Sequence, residues 1–274
     1  MKIPVLTYHS MNVLGNEYEN NDHVAFFHDL RLITNLGLRI IPLHEIVGHL
    51  RNGQRDLANC VAVTFDDGAD LDYFDVTHPT CGIQRSMLNI MKDFLAEFGA
   101  DAQPSLHATS FVIVSPEARM RLDKTCTMGY GWWTDDWWPQ AVSTGLLSIA
   151  NHSWDHNHIT LERVAQKNQE KGTFLVIDTY EDADAQIRQA THYLMQKTNN
   201  PGVALFAYPY GEYNDYLVNH YLPKLSTEHG LMAAFTTEPR HVSEHEQLWK
   251  LPRYVCGKDW KTPEELARIL KLGA

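Results

Sequence analysis

Cysteine is scarce in this sequence, and its spacing suggests no function. The 274 residues contain four cysteines, and no two of them are spaced C-x-x-C. Thiolate zinc modules and disulfide frameworks both depend on characteristic cysteine spacings, so neither is expected here. We therefore predict four free thiols, at Cys60, Cys81, Cys126 and Cys256.

A long apolar run and an excess of positive charge are also missing. No apolar stretch approaches the roughly 20 residues that a membrane-spanning helix needs. The first ten residues carry too short an apolar stretch for a secretion signal. The sequence as written therefore predicts a cytoplasmic protein, or a secreted or periplasmic one whose leader was removed. The formal net charge of −11 argues against a nucleic-acid partner, which would require a basic surface.

Hydrophobic residues make up 44% of the chain and charged residues 21%, which is typical of a globular protein. We predict a single domain over residues 1–274. Short, nearly continuous apolar runs alternate with amphipathic helical patterns such as 24–36, 84–98, 183–197 and 214–229. This alternation predicts a parallel sheet of the α/β class. The number of candidate strands favours a closed or nearly closed (β/α) barrel over an open sheet. The candidate strands are 3–9, 38–43, 61–67, 108–114, 146–152, 203–209, 232–237 and 248–255.

Polar side chains gather where several of these strands end. In a parallel barrel the carboxyl ends of all strands open onto one face, which is where barrel enzymes hold their active sites. We therefore expect these side chains to share one pocket. They are Tyr8, His9, Asp66, Asp67, Asn151, His152, Tyr208 and Tyr210.

A possible metal site combines one of these aspartates with a histidine pair. His152 and His156 stand four residues apart, so on one helical turn both imidazoles would face the same way. Asp67, in the run TFDDG, would add an oxygen ligand, giving a two-histidine, one-carboxylate set with room for water. Chance clustering of histidines and a solvated Asp-Asp-Gly turn are the alternatives. A zinc-protease helix is excluded, because H-E-x-x-H requires Glu where this chain has Ser153.

Three segments, in this order, resemble the first three motifs of the NodB-type polysaccharide deacetylases, carbohydrate esterase family four. They are TFDDG (64–68), NHSWDH (151–156) and FAYPYGEYN (206–214). Within that family the sequence is most similar to the subgroup acting on poly-β-1,6-N-acetylglucosamine, whose members often begin with a YH strand. The resemblance implies a distorted (β/α) barrel of NodB type, which agrees with the strand count.

The resemblance also implies roles for individual residues. Asp67, His152 and His156 would bind one divalent metal ion, with Asp66 as the general base. Tyr210 would supply a backbone N–H to the oxyanion. Asp66 as a mere support of the metal ligands remains an alternative. Histidine nitrogens with one carboxylate suit Zn²⁺ best, with Co²⁺ or Ni²⁺ as alternatives.

Three departures from the family pattern lead to further expectations. Ala207 stands where the third motif usually carries the arginine that holds the base. Arg253 is our candidate replacement for that arginine, because in a closing barrel the last strand returns beside the first. No late L-x-H motif supplies a general acid, and the similarity to the YH subgroup points to His9 instead. The alternatives are a His9 that only ends its strand and an Arg253 that pairs with a surface carboxylate.

The third departure is a long separation of 85 residues between Asp67 and His152, which indicates an insertion. The inserted stretch includes GYGWWTDDWWP (129–139), with four tryptophans in seven positions. Exposed indole faces stack on sugar rings, whereas buried ones would only pack the insertion against the barrel. We expect a substrate-binding surface from Trp132, Trp133 and Trp137, together with Tyr8 and Tyr208. His158, Asp155 and His78 are expected to be structural or surface residues.

The sequence thus predicts a metal-dependent hydrolase that removes N-acetyl groups from an amino sugar of a polysaccharide or glycan precursor. Two alternatives stay open. One is a hydrolase of the same fold acting on a small non-sugar amide or imide. The other is a catalytically degenerate carbohydrate-binding protein that lost activity because of Ala207.

Overall fold

The computed structural model describes residues 2–53, 56–198 and 204–271. Val203, the first residue of one predicted strand, lies outside these ranges. The described chain forms short strands separated by helices. The strands are β1 Lys2–Ile3, β2 Val5–His9, β3 Arg39–Ile40, β4 Cys60–Asp66, β5 Val76–His78, β6 Gly82–Gln84, β7 Ala108–Val112, β8 Leu147–Asn151, β9 Leu205–Ala207, β10 Ala233–Phe235, β11 Val242–Ser243 and β12 Tyr254–Val255.

The helices surround these strands and include two stretches of π-helix. Asp184–Arg188 joins α6 to α7, and Leu217–Tyr221 leads into α8. The α-helices are α1 Asp22–Asn35, α2 Leu43–Asn52, α3 Met87–Phe98, α4 Pro116–Cys126, α5 Trp138–Ser143, α6 Tyr180–Ala183, α7 Gln189–Thr198, α8 Leu222–Lys224, α9 Ser226–His229 and α10 Pro263–Lys271.

The main sheet is parallel and runs in the order β10-β9-β8-β7-β4-β2-β12, with β3 pairing beside β4. The last strand region, residues 251–255, contacts both β10 and β2 and so joins the two ends of the sheet. Leu251 exchanges backbone hydrogen bonds with β10, while Tyr254 and Val255 pair with β2. Between them lies Pro252, which has no N–H to donate and interrupts the last strand. The sheet therefore curls into the predicted distorted barrel, with a closing strand shorter than the predicted 248–255.

Successive side chains along a strand point alternately into the barrel interior and outward toward the surrounding helices. Ala62 on β4 packs in the interior cluster, whereas Val63 and Phe65 pack outward against the helices. On β2, Tyr8 points outward in the same way. His9, one residue later, lines the pocket at the carboxyl end of the barrel.

Most helices appear where the sequence predicts them, and several small elements are additional. The predicted helices 24–36 and 84–98 correspond to α1 and α3. The hairpin formed by β5 and β6 and the antiparallel pair of β1 and β11 were not predicted. All four cysteines are free, as expected. Among the described residues, no helix combines the length and hydrophobicity needed to cross a membrane.

Candidate active site

The carboxyl ends of the strands open into a cavity of about 440 Å³. Its walls bring together most of the polar residues that the sequence singled out at strand ends. The predicted site residues that line it are His9, Asp66, Asp67, Trp133, His152, His156, Tyr208 and Tyr210.

A sharp turn after β4 separates the two adjacent carboxylates. β4 ends at Asp66, and the next two residues adopt left-handed backbone, with φ of 76° at Asp67 and 74° at Gly68. A β-carbon on Gly68 would lie 2.3 Å from Cγ1 of Val112, so only glycine fits there. The turn leaves Asp66 3% exposed beneath the pocket and Asp67 at its more open surface.

Asp66 is held by a buried, bidentate ion pair with Arg253. Nη1 and Nη2 of the arginine donate to Oδ1 and Oδ2 at 2.7 and 2.8 Å. The guanidinium also donates to the Thr236 carbonyl and to the Thr64 hydroxyl. Burial alone would raise the pKa of Asp66, but the charge of Arg253 outweighs it and lowers the pKa to about 2. The predicted contact of Arg253 with Asp66 is therefore present, and a surface ion pair is ruled out.

The histidine pair lies in a tight loop after β8 and not on a helix, which corrects the helical-turn expectation. Ser153 and His156 have positive φ values of 69° and 61°. The Ser153 hydroxyl accepts the His156 N–H at 2.8 Å, and the Asn151 side chain accepts the Ser153 N–H at 2.7 Å. These local hydrogen bonds compete with helix formation and bring both imidazoles to the pocket by another route.

One ligand atom from each of Asp67, His152 and His156 lies within 4.8 Å of the others. Nε2 of His152 and Nε2 of His156 stand 3.6 and 3.7 Å from Oδ1 of Asp67. These separations are too long for hydrogen bonds and close to the roughly 3.3 Å between two ligands of a tetrahedral zinc ion, given bonds of about 2.0 to 2.1 Å. The donor set therefore fits a divalent metal ion.

The protonation of both histidines also suits metal binding. Nδ1 of His152 lies 2.9 Å from the carbonyl oxygen of Ala207, which assigns the proton to Nδ1 and leaves the lone pair of Nε2 toward Asp67. Burial lowers the pKa of His156 well below its usual range, so its ring is neutral. A neutral imidazole is the form that binds a metal.

His9 lies beside Asp66, because the two residues are register partners in the β2 and β4 ladder. Nδ1 of His9 is buried and has no hydrogen-bond partner among the described residues. On the opposite side, the Tyr210 ring packs edge-on against His156 with centroids 4.5 Å apart. Tyr210 has a φ of 60°, and Gly211 follows in contact with Thr237, so the backbone turns tightly over the pocket.

The structure places some predicted substrate residues away from the pocket. Tyr8 is fully buried and donates its hydroxyl to Asp29, because alternation puts it on the opposite strand face from His9. Trp137 is 1% exposed, with its indole N–H on Asp70. Neither side chain can reach a ligand, so both expectations are corrected. Tyr208 borders the pocket, but its hydroxyl donates to a backbone carbonyl.

The tryptophans of the insertion divide into buried and pocket-facing ones. Trp138 is fully buried, whereas Trp133 is 8% exposed and lines the pocket. The Trp133 indole N–H has no hydrogen-bond partner among the described residues. Trp132 lies outside this cavity, in a neighbouring one.

Sequence reasoning missed several residues that line the pocket, among them Met11, Cys126 and His158. His158 was set aside, although it is the third histidine of the same short segment. Its ring centroid is 6.0 Å from that of His156. Met11 and Cys126 had no sequence signal, because neither belongs to a polar cluster at a strand end. Asp155 is structural as expected, since its carboxylate is buried and accepts hydrogen bonds from its own loop.

A barrel that gathers an ion-paired carboxylate and a two-histidine, one-carboxylate group at its strand ends has the layout of a barrel hydrolase. The sequence profile described as polysaccharide deacetylase matches residues 53–223, more than half of the chain. The chain therefore belongs to the polysaccharide deacetylase family, which confirms the resemblance.

Solved structures with the same fold include three bacterial proteins. IcaB from Ammonifex degensii is 18% identical with a TM-score of 0.67, over 98% of this chain and 97% of that one. The Streptococcus pyogenes deacetylase PplD, in complex with acetate, is 20% identical with a TM-score of 0.64, over 98% of both chains. The BpsB deacetylase domain from Bordetella bronchiseptica is 16% identical with a TM-score of 0.58, over 93% and 96%. These similarities confirm the barrel fold. No curated protein sequence matches the chain significantly.

Proposed function

We propose that this protein is a metal-dependent hydrolase that removes N-acetyl groups from amino sugars of a polysaccharide or glycan precursor. The observation that carries the proposal is the convergence of two groups in one pocket. The Asp67, His152 and His156 group forms one wall, and Asp66, fixed by Arg253, lies beneath it. Family membership supports the same chemistry.

Asp66 is the proposed general base. Its two oxygens are held by Arg253, which keeps the carboxylate ionised and fixes its direction. Nε2 of His152 lies 3.9 Å from Oδ2 of Asp66, so the base adjoins the ligand group. A carboxylate in this position can accept the proton of a water molecule that attacks the amide carbonyl.

Asp67, His152 and His156 would hold the metal ion, with zinc as the first candidate and cobalt or nickel as alternatives. When bound, such an ion lowers the pKa of water and polarises the acetyl carbonyl. The protein contributes ligands whose protonation and orientation are already set, most clearly at His152 through the Ala207 carbonyl.

His9 is the proposed general acid, since it is the register partner of Asp66 and faces the same pocket. In this role it would give a proton to the amine that leaves when the amide bond breaks. The backbone N–H of Tyr210, on the far side of the ligand group, is the proposed donor to the oxyanion. The ion pair with Arg253 is the proposed substitute for the arginine missing at Ala207.

An N-acetylated amino sugar is the proposed substrate, with poly-β-1,6-N-acetylglucosamine as the first polymer to test. Trp133 offers an aromatic surface and an unpaired indole N–H within the pocket. A buried donor without a protein acceptor is expected to find one in a bound ligand or in water. The acetate bound to the Streptococcus pyogenes deacetylase matches the product of such a reaction.

Acetate release from N-acetylglucosamine oligomers, measured together with metal content, tests the proposal. The parent should release acetate and carry about one divalent ion per chain. His152→Ala and His156→Ala should lose both, because each removes one of three protein ligands. His192→Ala, at an exposed histidine on α7, is the control and should lose neither.

Other outcomes would point to the other candidates. Hydrolysis of small imides without acetate release would favour the non-sugar amide hydrolase. Sugar binding without turnover of any amide would favour a degenerate carbohydrate-binding protein. Full metal occupancy in both histidine variants would refute the ligand assignment.

A further inference from the structure

A second cavity, of about 330 Å³, opens beside the catalytic pocket. Met11 and Cys126 line both cavities, so the two lie side by side. The second cavity is bounded by the hairpin of β5 and β6 on one side and by the loop after α4 on the other. We call it the aromatic groove, after the rings of His78, Tyr130 and Trp132 that line it.

The wall of the aromatic groove is a set of roughly parallel rings. Tyr130 and Trp132 stack with centroids 4.8 Å apart and an interplanar angle of 24°. His78 lies 6.0 Å from Trp132 at 32°. Tyr130 is 47% exposed, although most tryptophans of the same insertion are buried. Because one face of the Tyr130 ring is covered by Trp132, the other face of Tyr130 is the aromatic surface open to whatever occupies the groove.

This wall is fixed in place by hydrogen bonds to its backbone. The Trp132 N–H donates to Oδ1 of Asp123 at 3.0 Å, and its carbonyl accepts the Asp70 N–H at 2.8 Å. Asp70 follows the metal-ligand candidate Asp67 by three residues, so the wall is tied to the loop that shapes the catalytic pocket. A surface that is already ordered loses little entropy when it binds a ligand.

The chemistry of the groove suits a neutral sugar ring. No Asp, Glu, Lys or Arg lines it, so it offers no ion pair to a charged peptide or a polyanion. Aromatic faces stack on the apolar face of a pyranose. Thr80 and Thr127 also line the groove and offer hydroxyl groups for hydrogen bonds to the ring's edge.

We propose that the aromatic groove is a sugar subsite for the same glycan chain whose N-acetyl group enters the catalytic pocket. A residue of that chain stacks on the free face of Tyr130, whose other face is supported by Trp132, while a neighbouring residue is deacetylated. The inference rests on the proposed function and deepens it, since it makes the enzyme selective for oligomers over monosaccharides.

The test compares N-acetylglucosamine oligomers of one to five residues, in β-1,4 and β-1,6 linkage. Trp132→Ala and the more exposed Tyr130→Ala should each raise KM for the longest preferred oligomer about fivefold or more, the loss expected for one aromatic contact. They should leave kcat, and turnover of the monosaccharide, nearly unchanged. Tyr180→Ala removes an exposed ring from α6, far along the chain, and should change none of these values.

Binding of the pentamers to the Asp66→Asn protein, measured by calorimetry, distinguishes the sugar-subsite proposal from the proposed function. Weaker binding on adding Tyr130→Ala supports the subsite, even if no acetate is ever released and the proposed function fails. The subsite is overturned if neither pentamer binds. It is also overturned if Tyr130→Ala and Trp132→Ala leave pentamer binding unchanged, or if both variants impair monomer and pentamer equally. In the last two cases acetate release by the parent would leave the proposed function standing.

Discussion

Asp66 and Asp29 are both buried carboxylates, but they lie on opposite sides of the barrel wall. Asp66 ends β4, beneath the pocket, and pairs with the charged Arg253. Asp29 lies in α1, in the outer core, and accepts hydrogen bonds from the neutral groups of Tyr8, Tyr18 and Trp260. Both have almost no exposed surface.

The two environments have opposite effects on ionisation. At Asp29, burial outweighs the three hydrogen bonds and raises the pKa to about 7. At Asp66, the charge of Arg253 outweighs burial and lowers the pKa to about 2. Neutral donors satisfy a buried carboxylate without keeping it charged, whereas a cation keeps it available as a base. Burial of a carboxylate is thus insufficient to mark a catalytic residue.

The largest expected contrast is in turnover. The same change, Asp66→Asn and Asp29→Asn, removes the charge at each site with little change of shape. Asp66→Asn should lower kcat by about 10² to 10⁴-fold, the usual contribution of a general base, while the metal stays bound. Asp29→Asn should stay within a few-fold of the parent. Equal losses in steady-state acetate release would contradict the distinction, and metal loss in Asp66→Asn would make Asp66 a ligand.

The next contrast is in stability. Arg253→Met leaves Asp66 buried without its cation and should lower the free energy of unfolding by about 3 to 5 kcal/mol. The same substitution in an Asp66→Asn background should cost clearly less, because no buried charge is left unpaired. Denaturant unfolding of the parent, the two single variants and the double variant gives the coupling free energy between Arg253 and Asp66. Additive losses would mean that the ion pair is not what Arg253 stabilises.

The dependence of stability on pH should differ between the parent and Asp29→Asn, because the carboxyl of Asp29 has a raised pKa in the folded protein. Its folded pKa of about 7 lies above the unfolded value of about 3.9, so the folded state binds the extra proton between these values. The stabilisation is therefore complete below about pH 4 and is lost as the pH rises toward 7, by at most about 1.4 kcal/mol per pH unit. Compared with Asp29→Asn, the parent should lose unfolding free energy from pH 5 to 7. Parallel stability curves would refute this.

The smallest expected effect concerns one neutral donor. Tyr18→Phe removes a hydroxyl that donates to Oδ1 of Asp29 at 2.5 Å and should cost about 0.5 to 1.5 kcal/mol. Because that hydrogen bond favours the charged form, its loss should raise the pKa of Asp29 further. Thermal unfolding at pH 5 and pH 7 measures both effects. A larger cost at pH 5 than at pH 7 would contradict the assignment.

The sequence predicted the barrel and the centre of the site because both follow from short-range rules. Alternation of apolar strands and helices defines the fold class, and the polar residues at strand ends converge because parallel strands share one carboxyl edge. Asp66, Asp67 and His152 were located in this way. Arg253 was found from barrel closure, which is a topological rule and needs no knowledge of side-chain packing.

The rest of the site depends on information that a single sequence does not carry. The side of a strand on which Tyr8 falls requires the register of the strand, and a shift of one residue exchanges its two faces. The loop at His156 depends on the hydrogen bonds of Ser153 and not on helical periodicity. Trp133 and Trp137 are four residues apart in one insertion, and only tertiary packing sends one to the pocket and the other to Asp70.

The bond between Arg253 and Asp66 joins residues 187 positions apart in the chain. Contacts of such long range form late, because the entropy of closing the intervening chain must be overcome first. During synthesis Asp66 therefore lacks the Arg253 guanidinium until the segment carrying Arg253 has been made and has docked beside β2. The proposed base is thus paired only once the barrel closes, so under the proposed function a partly folded chain is not expected to hydrolyse amides.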